Sequence, residues 1–172
     1  MTAAFMLVRH LFAILVLPAT MTILIPRWLL SAYGINPLWP ADSAAGTIAR
    51  AAGVITFLIG LALFGWCVYL FAARGKGTLA PWDPPRKLVV TGPYRYVRNP
   101  MISGVLFIIA GEALVHGSRT LGAWLLTFFV INQIYFMISE EPMLESRFGK
   151  DYRVYKEKVP RWIPRLRPWK GA

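Results

Sequence analysis

Residues 47–73 read TIARAAGVITFLIGLALFGWCVYLFAA. The run holds one charged residue, Arg50, and neither an acid nor a proline. About 20 apolar residues suffice to cross the hydrocarbon core of a bilayer. A stretch this long and this poor in charge reads as a membrane-crossing helix, and the class of the whole chain follows from it.

Three further runs share its character. The first lies at about 10–32 (HLFAILVLPATMTILIPRWLL onward), the third at 100–116 (PMISGVLFIIAGEALVH) and the fourth at 119–139 (RTLGAWLLTFFVINQIYFMIS). The third is the shortest and carries Glu112. The first begins near Arg9, as a signal peptide would, but its apolar stretch is too long and no small-x-small cleavage site follows. Charged residues make up 16% of the 172, below the roughly 25% of an ordinary soluble domain. The expectation is an all-α integral membrane protein. It has one membrane domain over 1–172, with about four transmembrane helices and a cytosolic C-terminal helix.

The net charge of +11 would suit a nucleic-acid partner, but its placement excludes that reading. Of the 19 Lys and Arg, all but Arg27, Arg50 and Arg119 fall at Arg9, in 74–99 or in 140–172. Cationic loops stay on the cytoplasmic side of a membrane. Four spans with both termini cytoplasmic satisfy that bias, which in a prokaryote means the plasma membrane. The expected partners are therefore membrane lipid and a lipophilic small molecule, and no nucleic acid. Oligomeric state is not legible. The single cysteine, Cys67, excludes an intrachain disulfide and reads as an apolar filler.

The loop at 33–46 is short, nearly uncharged and expected outside. The inner loop 74–99 holds four prolines and three glycines, which makes it a shaped connection rather than a slack linker. Within it, RKLVV can form a short extended piece. Beyond the fourth run, Met143, Leu144, Phe148, Tyr152 and Tyr155 recur at helical spacing, so a helix over 143–158 is predicted. Pro160, Pro164 and Pro168 end it, and Trp162 and Trp169 suit the membrane interface.

His116-Gly117-Ser118 joins the third and fourth runs so tightly that they must form an antiparallel hairpin. Residues 92–99 (GPYRYVRN) enter the third helix from the inner side, and the fourth returns there with Glu140 and Glu141. Two polar clusters distant in sequence should therefore meet at one depth. Asn99-Pro100 reads as an N-cap and first helical residue. Such a helix start also presents free N–H groups to a carboxylate or phosphate. Adjacent carboxylates at a membrane boundary repel each other and resist desolvation, which makes them candidates for a ligand site; the plainer alternative is pairing with nearby arginines. Tyr96 reads as an interface anchor and Tyr94 as a pocket wall. Glu112 is expected to face Asn132 or Gln133 as structural glue, and His116 has no assigned role. No metal cluster, Walker loop or Ser-His-Asp set is present in the sequence.

GPYRYVRNPMISG at 92–104, followed by EEPMLESRFGKDYRVYKEKVPRWIP at 140–164, resembles the two-part signature of the isoprenylcysteine carboxyl methyltransferase family. The likeness covers about 86–164. It implies a membrane-integral methyltransferase that uses S-adenosylmethionine and acts on lipid-like substrates. By position, Lys87, Leu88, Val89, Tyr94, Asn99, Pro100, Met101, Ile102 and Glu140 would bind the cofactor. Arg98 and Glu141 would be the candidate catalytic residues. Three departures stand out: Asn99 replaces the usual His, Ile102 the usual Tyr, and Phe136 an arginine that would meet a prenylcysteine carboxylate. The methyl acceptor stays open among carboxylate, amine, phenol and thiol.

Two rivals accompany this expectation. Membrane sterol and enone reductases share a similar C-terminal signature and use NADPH. A non-enzymatic membrane subunit could bind anionic lipid through its basic surface.

Overall fold

The computed structural model describes residues 15–35, 37–40, 42–71, 73 and 88–171. Lys87 and most of the inner loop lie outside the described residues. The elements in order are α1 (Leu15–Leu24, wound as a wide π-helix), α2 (Ile25–Tyr33), α3 (Ala44–Leu70), α4 (Pro100–His116), α5 (Arg119–Tyr135) and α6 (Glu141–Lys158). A 3₁₀ turn at Gly92–Arg95 precedes α4, and a π turn at Phe136–Glu140 links α5 to α6. No strand occurs among the described residues, which include Leu88, Val89 and Val90 of RKLVV but not its first two; an isolated antiparallel bridge joins Pro37 and Ser118.

Among the described residues, two helical stretches are long and apolar enough to cross a membrane: α3, and the continuous helix from Arg119 to Lys158. The latter is apolar only over its first part, 119–139. At 17 residues α4 is apolar but shorter, spanning about 25 Å at 1.5 Å per residue. The first expected span is helical over 15–33 and changes from π to α winding at Ile25, with Pro26 in the first turn of α2.

α3 starts where Ser43 caps it, its Oγ accepting from the Gly46 N–H at 3.0 Å. α3 and α4 then pack antiparallel along a stripe of small residues. A Cβ on Gly53 would lie 2.9 Å from the Gly111 carbonyl oxygen, and one on Gly60 would lie 2.7 Å from that of Gly104. Gly53 and Gly60 stand seven residues apart, as do Gly104 and Gly111, so each pair repeats on one face. Small residues let helix backbones approach where lipid supplies no hydrophobic drive. This seam is the main helix–helix contact of the fold, and the sequence reading passed over it.

The α4–α5 turn is the expected tight hairpin. Gly117 closes α4 in the left-handed conformation (φ 60°), and the Ser118 Oγ accepts from Leu121 N–H at 3.2 Å. The loop after α2 meets it there, Leu38 N–H donating to the Gly117 carbonyl at 2.7 Å. α5 is tied to α1 by Trp124 Nε1, which donates to the Met21 carbonyl at 3.1 Å.

Two expectations need correction. Glu112 meets neither Asn132 nor Gln133: Asn132 donates to the Phe128 carbonyl, and Gln133 bonds Met137 and Trp162. Glu112 lies five residues before the Gly117-Ser118 turn, so in an antiparallel hairpin it is level with about residue 123, and residues 132–133 sit about 13 Å further along. The helix over 143–158 exists but breaks at Gly149 (φ 55°, ψ −124°), a conformation open in practice to glycine alone. Trp162 and Trp169, expected to suit the membrane interface, also pack on protein, Trp162 against Phe129 and Phe136 and Trp169 against Tyr155.

Candidate functional site

The Gly92-Pro93 turn exists because Gly92 adopts a positive φ (58°) against Leu70, whose Cδ1 would lie 2.8 Å from any added Cβ. The turn carries Tyr94 inward, where it clusters with Cys67, Leu70 and Val89. Burial pushes the Tyr94 phenol well above its usual pKa, so it stays a neutral hydroxyl. The Tyr155 hydroxyl donates to the Tyr94 carbonyl at 2.7 Å and pins the turn to α6.

The tail beyond α6 braces the same segment. Arg98 N–H donates to the Pro160 carbonyl (2.9 Å), Arg165 N–H to Tyr96 (3.0 Å), and Trp169 N–H to Arg95 (2.9 Å). Arg95 Nε returns a bond to the Trp169 carbonyl at 2.6 Å. Residues 95–98 are thus held by backbone bonds that do not depend on side-chain identity.

Asn99 occupies the N-cap position of α4, but its side chain makes no capping bond. Only its carbonyl serves the helix, accepting from Ser103 N–H and Oγ at 3.0 Å each. Asn99 also lines a cavity. The first N–H groups of α4, on Met101 and Ile102, precede the first intrahelical bond and carry the positive end of the helix dipole.

From the other side, α5 ends in the π turn. Its five-residue step puts Glu140 in register with Tyr135, and both face the cavity. A plain α-turn would pair Tyr135 with Ser139, which is exposed. Pro142 explains the wide winding, since it lacks the N–H that Ile138 would otherwise bond.

The two acids part company here. Glu141 is 5% exposed and sits in an ion cluster: Arg98 Nη1 and Arg161 Nε each donate to its Oε1 at 2.8 Å, and Lys156 Nζ lies 3.3 Å from its Oε2. Burial alone would raise its pKa, but the Arg161 hydrogen bond and the charges of Arg98 and Arg161 hold it below the usual range. Glu140, just past the apolar run, makes no hydrogen bond or ion pair among the described residues. Burial, then the neighbouring Glu141 charge, pushes its pKa up to about 7.

The cavity measures about 450 Å³. Leu88, Val89, Tyr94, Arg98, Asn99, Met101, Ile102 and Glu140 all line it. Pro100 is buried behind this wall and Glu141 is turned away into the ion cluster. Arg98 joins the two features, because its Nη1 serves Glu141 while its buried Nε–H has no partner among the described residues.

Several lining residues escaped the sequence reading. Asn132 and Tyr135 lie one to two turns before Glu140 on the same helix, and that spacing was a usable signal. Deeper in, Met21, Phe64, Val105, Trp124 and Phe128 extend the cavity as an apolar pocket between α1, α3, α4 and α5. No local signal marks these residues, since each reads as ordinary helix apolarity.

The phospholipid methyltransferase family model matches residues 48–151, which takes in α3, α4, α5 and half of α6. An uncharacterized protein of Haemophilus influenzae is 50% identical over 67 residues, which is 37% of this chain and the whole of that one. No solved structure matches the chain. A match over more than half of the chain, reaching through the segment that carries Tyr94, Asn99 and Glu140, makes this protein a member of the phospholipid methyltransferase family, one of the isoprenylcysteine carboxyl methyltransferase-like families of membrane methyltransferases.

Proposed function

We propose that the protein transfers a methyl group from S-adenosylmethionine to a lipophilic or amphiphilic acceptor, within a four-span membrane domain whose termini face the cytoplasm. The observation that carries this reading is the pairing, in one cavity, of a bare carboxylate with unmatched N–H donors. Glu140 suits a cation. The Arg98 Nε–H, the Asn99 amide and the first N–H groups of α4 suit an anion. An amino acid moiety presents both charges, and S-adenosylmethionine carries one. The cavity volume falls within the range of small-molecule sites.

When bound, the cofactor supplies an electrophilic methyl on a sulfonium. The chain's own residues bind and orient. Glu140 attracts the positive charge, while Arg98 and the α4 N-terminus hold the carboxylate. Tyr94, Leu88 and Val89 wall the site, and Lys87 belongs to this group by position. The apolar pocket toward Met21 and Trp124 keeps water out and aligns the acceptor chain. Methyl transfer needs little acid–base help, so alignment supplies most of the rate gain. Glu141 then acts at one remove, by fixing Arg98. Phe136 packs on Trp162, so this wall offers no cation to an acceptor carboxylate.

The basic inner loop would suit the phosphates of NADPH as well, so charge does not separate the two readings; the phospholipid methyltransferase family match is what favours methyl transfer.

Membranes containing the protein, given labelled S-adenosylmethionine and a lipid extract, should label a lipid-soluble product that mass spectrometry identifies. Label no greater than in a Glu140→Ala control, or NADPH binding without S-adenosylmethionine binding, would overturn the proposal.

A further inference from the structure

The C-terminal tail has a second edge, turned away from the cavity. Trp162 stacks on Phe129 and Phe136 and donates to Gln133 Oε1 at 2.7 Å. Those three residues lie on one face of the long helix, inside its apolar stretch. The tail therefore doubles back to the depth of the inner leaflet. There it displays the two most exposed large apolar side chains among the described residues, Ile163 at 80% and Leu166 at 100%.

Irregular backbone is tolerated near a membrane only where its polar groups are satisfied. In the tail, Arg165 and Trp169 N–H groups bond Tyr96 and Arg95, and Pro160, Pro164 and Pro168 bring no donor at all. Arg165, Arg167 and Lys170 flank the two aliphatic residues, and no acid follows Glu157. Long basic side chains can lift their charges to headgroup level while the stems lie along apolar surface.

We propose that residues 162–170 dock in the inner leaflet, with Ile163 and Leu166 at the acyl boundary and Arg165, Arg167 and Lys170 on anionic headgroups. This is an anchoring surface separate from the cavity, and it holds whatever the cavity binds. Each basic side chain near an anionic leaflet is worth about a fivefold gain in partitioning.

Nitroxide labels on Ile163→Cys, Leu166→Cys and, as a water-facing reference, Glu157→Cys test this in the full chain. Cys67 is fully buried and escapes labelling. The proteins are reconstituted in phosphatidylcholine vesicles and in vesicles of equal parts phosphatidylcholine and phosphatidylglycerol. Labels at 163 and 166 should respond to membrane-soluble oxygen and not to an aqueous nickel chelate, whereas the label at 157 responds to the chelate. The protection should be greater in the anionic vesicles, and that gain should vanish in an Arg165→Gln, Arg167→Gln, Lys170→Gln background. Chelate access at 166 equal to that at 157 would overturn the proposal, as would protection indifferent to lipid charge.

Discussion

Arg98 donates to Glu141 Oε1 at 2.8 Å while its own Nε–H, buried and unmatched among the described residues, belongs to a side chain on the cavity wall. One guanidinium thus links the ion cluster to the site. Glu141→Ala should lower stability by about 3–5 kcal/mol, because it leaves buried cations unpaired. It should weaken cofactor binding as well, although Glu141 does not line the cavity. Thermal melts and cofactor titration in detergent check the two effects. Unchanged cofactor affinity would remove Glu141 from any positioning role.

Glu140 should behave in the opposite way. Its pKa rises from 4.5 to about 7, so between those values the folded chain keeps a proton that the unfolded chain has lost. Its contribution therefore lowers stability as pH rises through that window, with the loss complete above about 7. A cation in the cavity favours the ionised form, so cofactor affinity should climb over the same window. Glu140→Gln should flatten the climb and cost about tenfold to a hundredfold in affinity at high pH, as expected for a lost charge-assisted bond. Titrations at several pH values decide it.

The glycine seam offers a contrast. Gly60→Ala puts a Cβ 2.7 Å from the Gly104 carbonyl oxygen, so α3 and α4 must separate. The cost should be about 1–3 kcal/mol or more. Gly65→Ala, five residues along the same helix, meets nothing within 4 Å and should be neutral or stabilising by up to about 1 kcal/mol. Equal melting temperatures for the two variants would contradict the close approach.

A chain ending at Lys158 loses every backbone bond from the tail to residues 95–98. It should still insert in membranes, since α3, α4 and α5 are intact, but its cofactor affinity should collapse. Tyr155→Phe is the milder test. It leaves the Tyr94 carbonyl without its partner, at a cost of about 1–3 kcal/mol. Calorimetry and circular dichroism separate the loss of binding from the loss of fold.

How much of this was legible in the chain is clear from particular residues. Apolar length, the Gly117-Ser118 turn and the start of a helix at Asn99-Pro100 are local signals, and each helix end appears where they put it, although the Asn99 side chain does not cap. The meeting of 94–102 with Glu140 followed from hairpin topology alone. The sequence by itself determined an all-helical, membrane-type chain and the end of the bundle at which its polar clusters gather.

The family resemblance assigned Glu140 to the cofactor, but only the tertiary structure gives the reason that it and not Glu141 faces the cavity: a one-residue change in winding at 136–140 rotates the answer. The tertiary structure also decided that Asn99 lines the cavity without capping, that Glu112 stays away from Asn132, and that the tail braces Tyr96 and Arg98. Those outcomes depend on contacts between residues far apart in the chain. Helix rotation, register and close packing set them, and none of these leaves a mark in a local window of sequence.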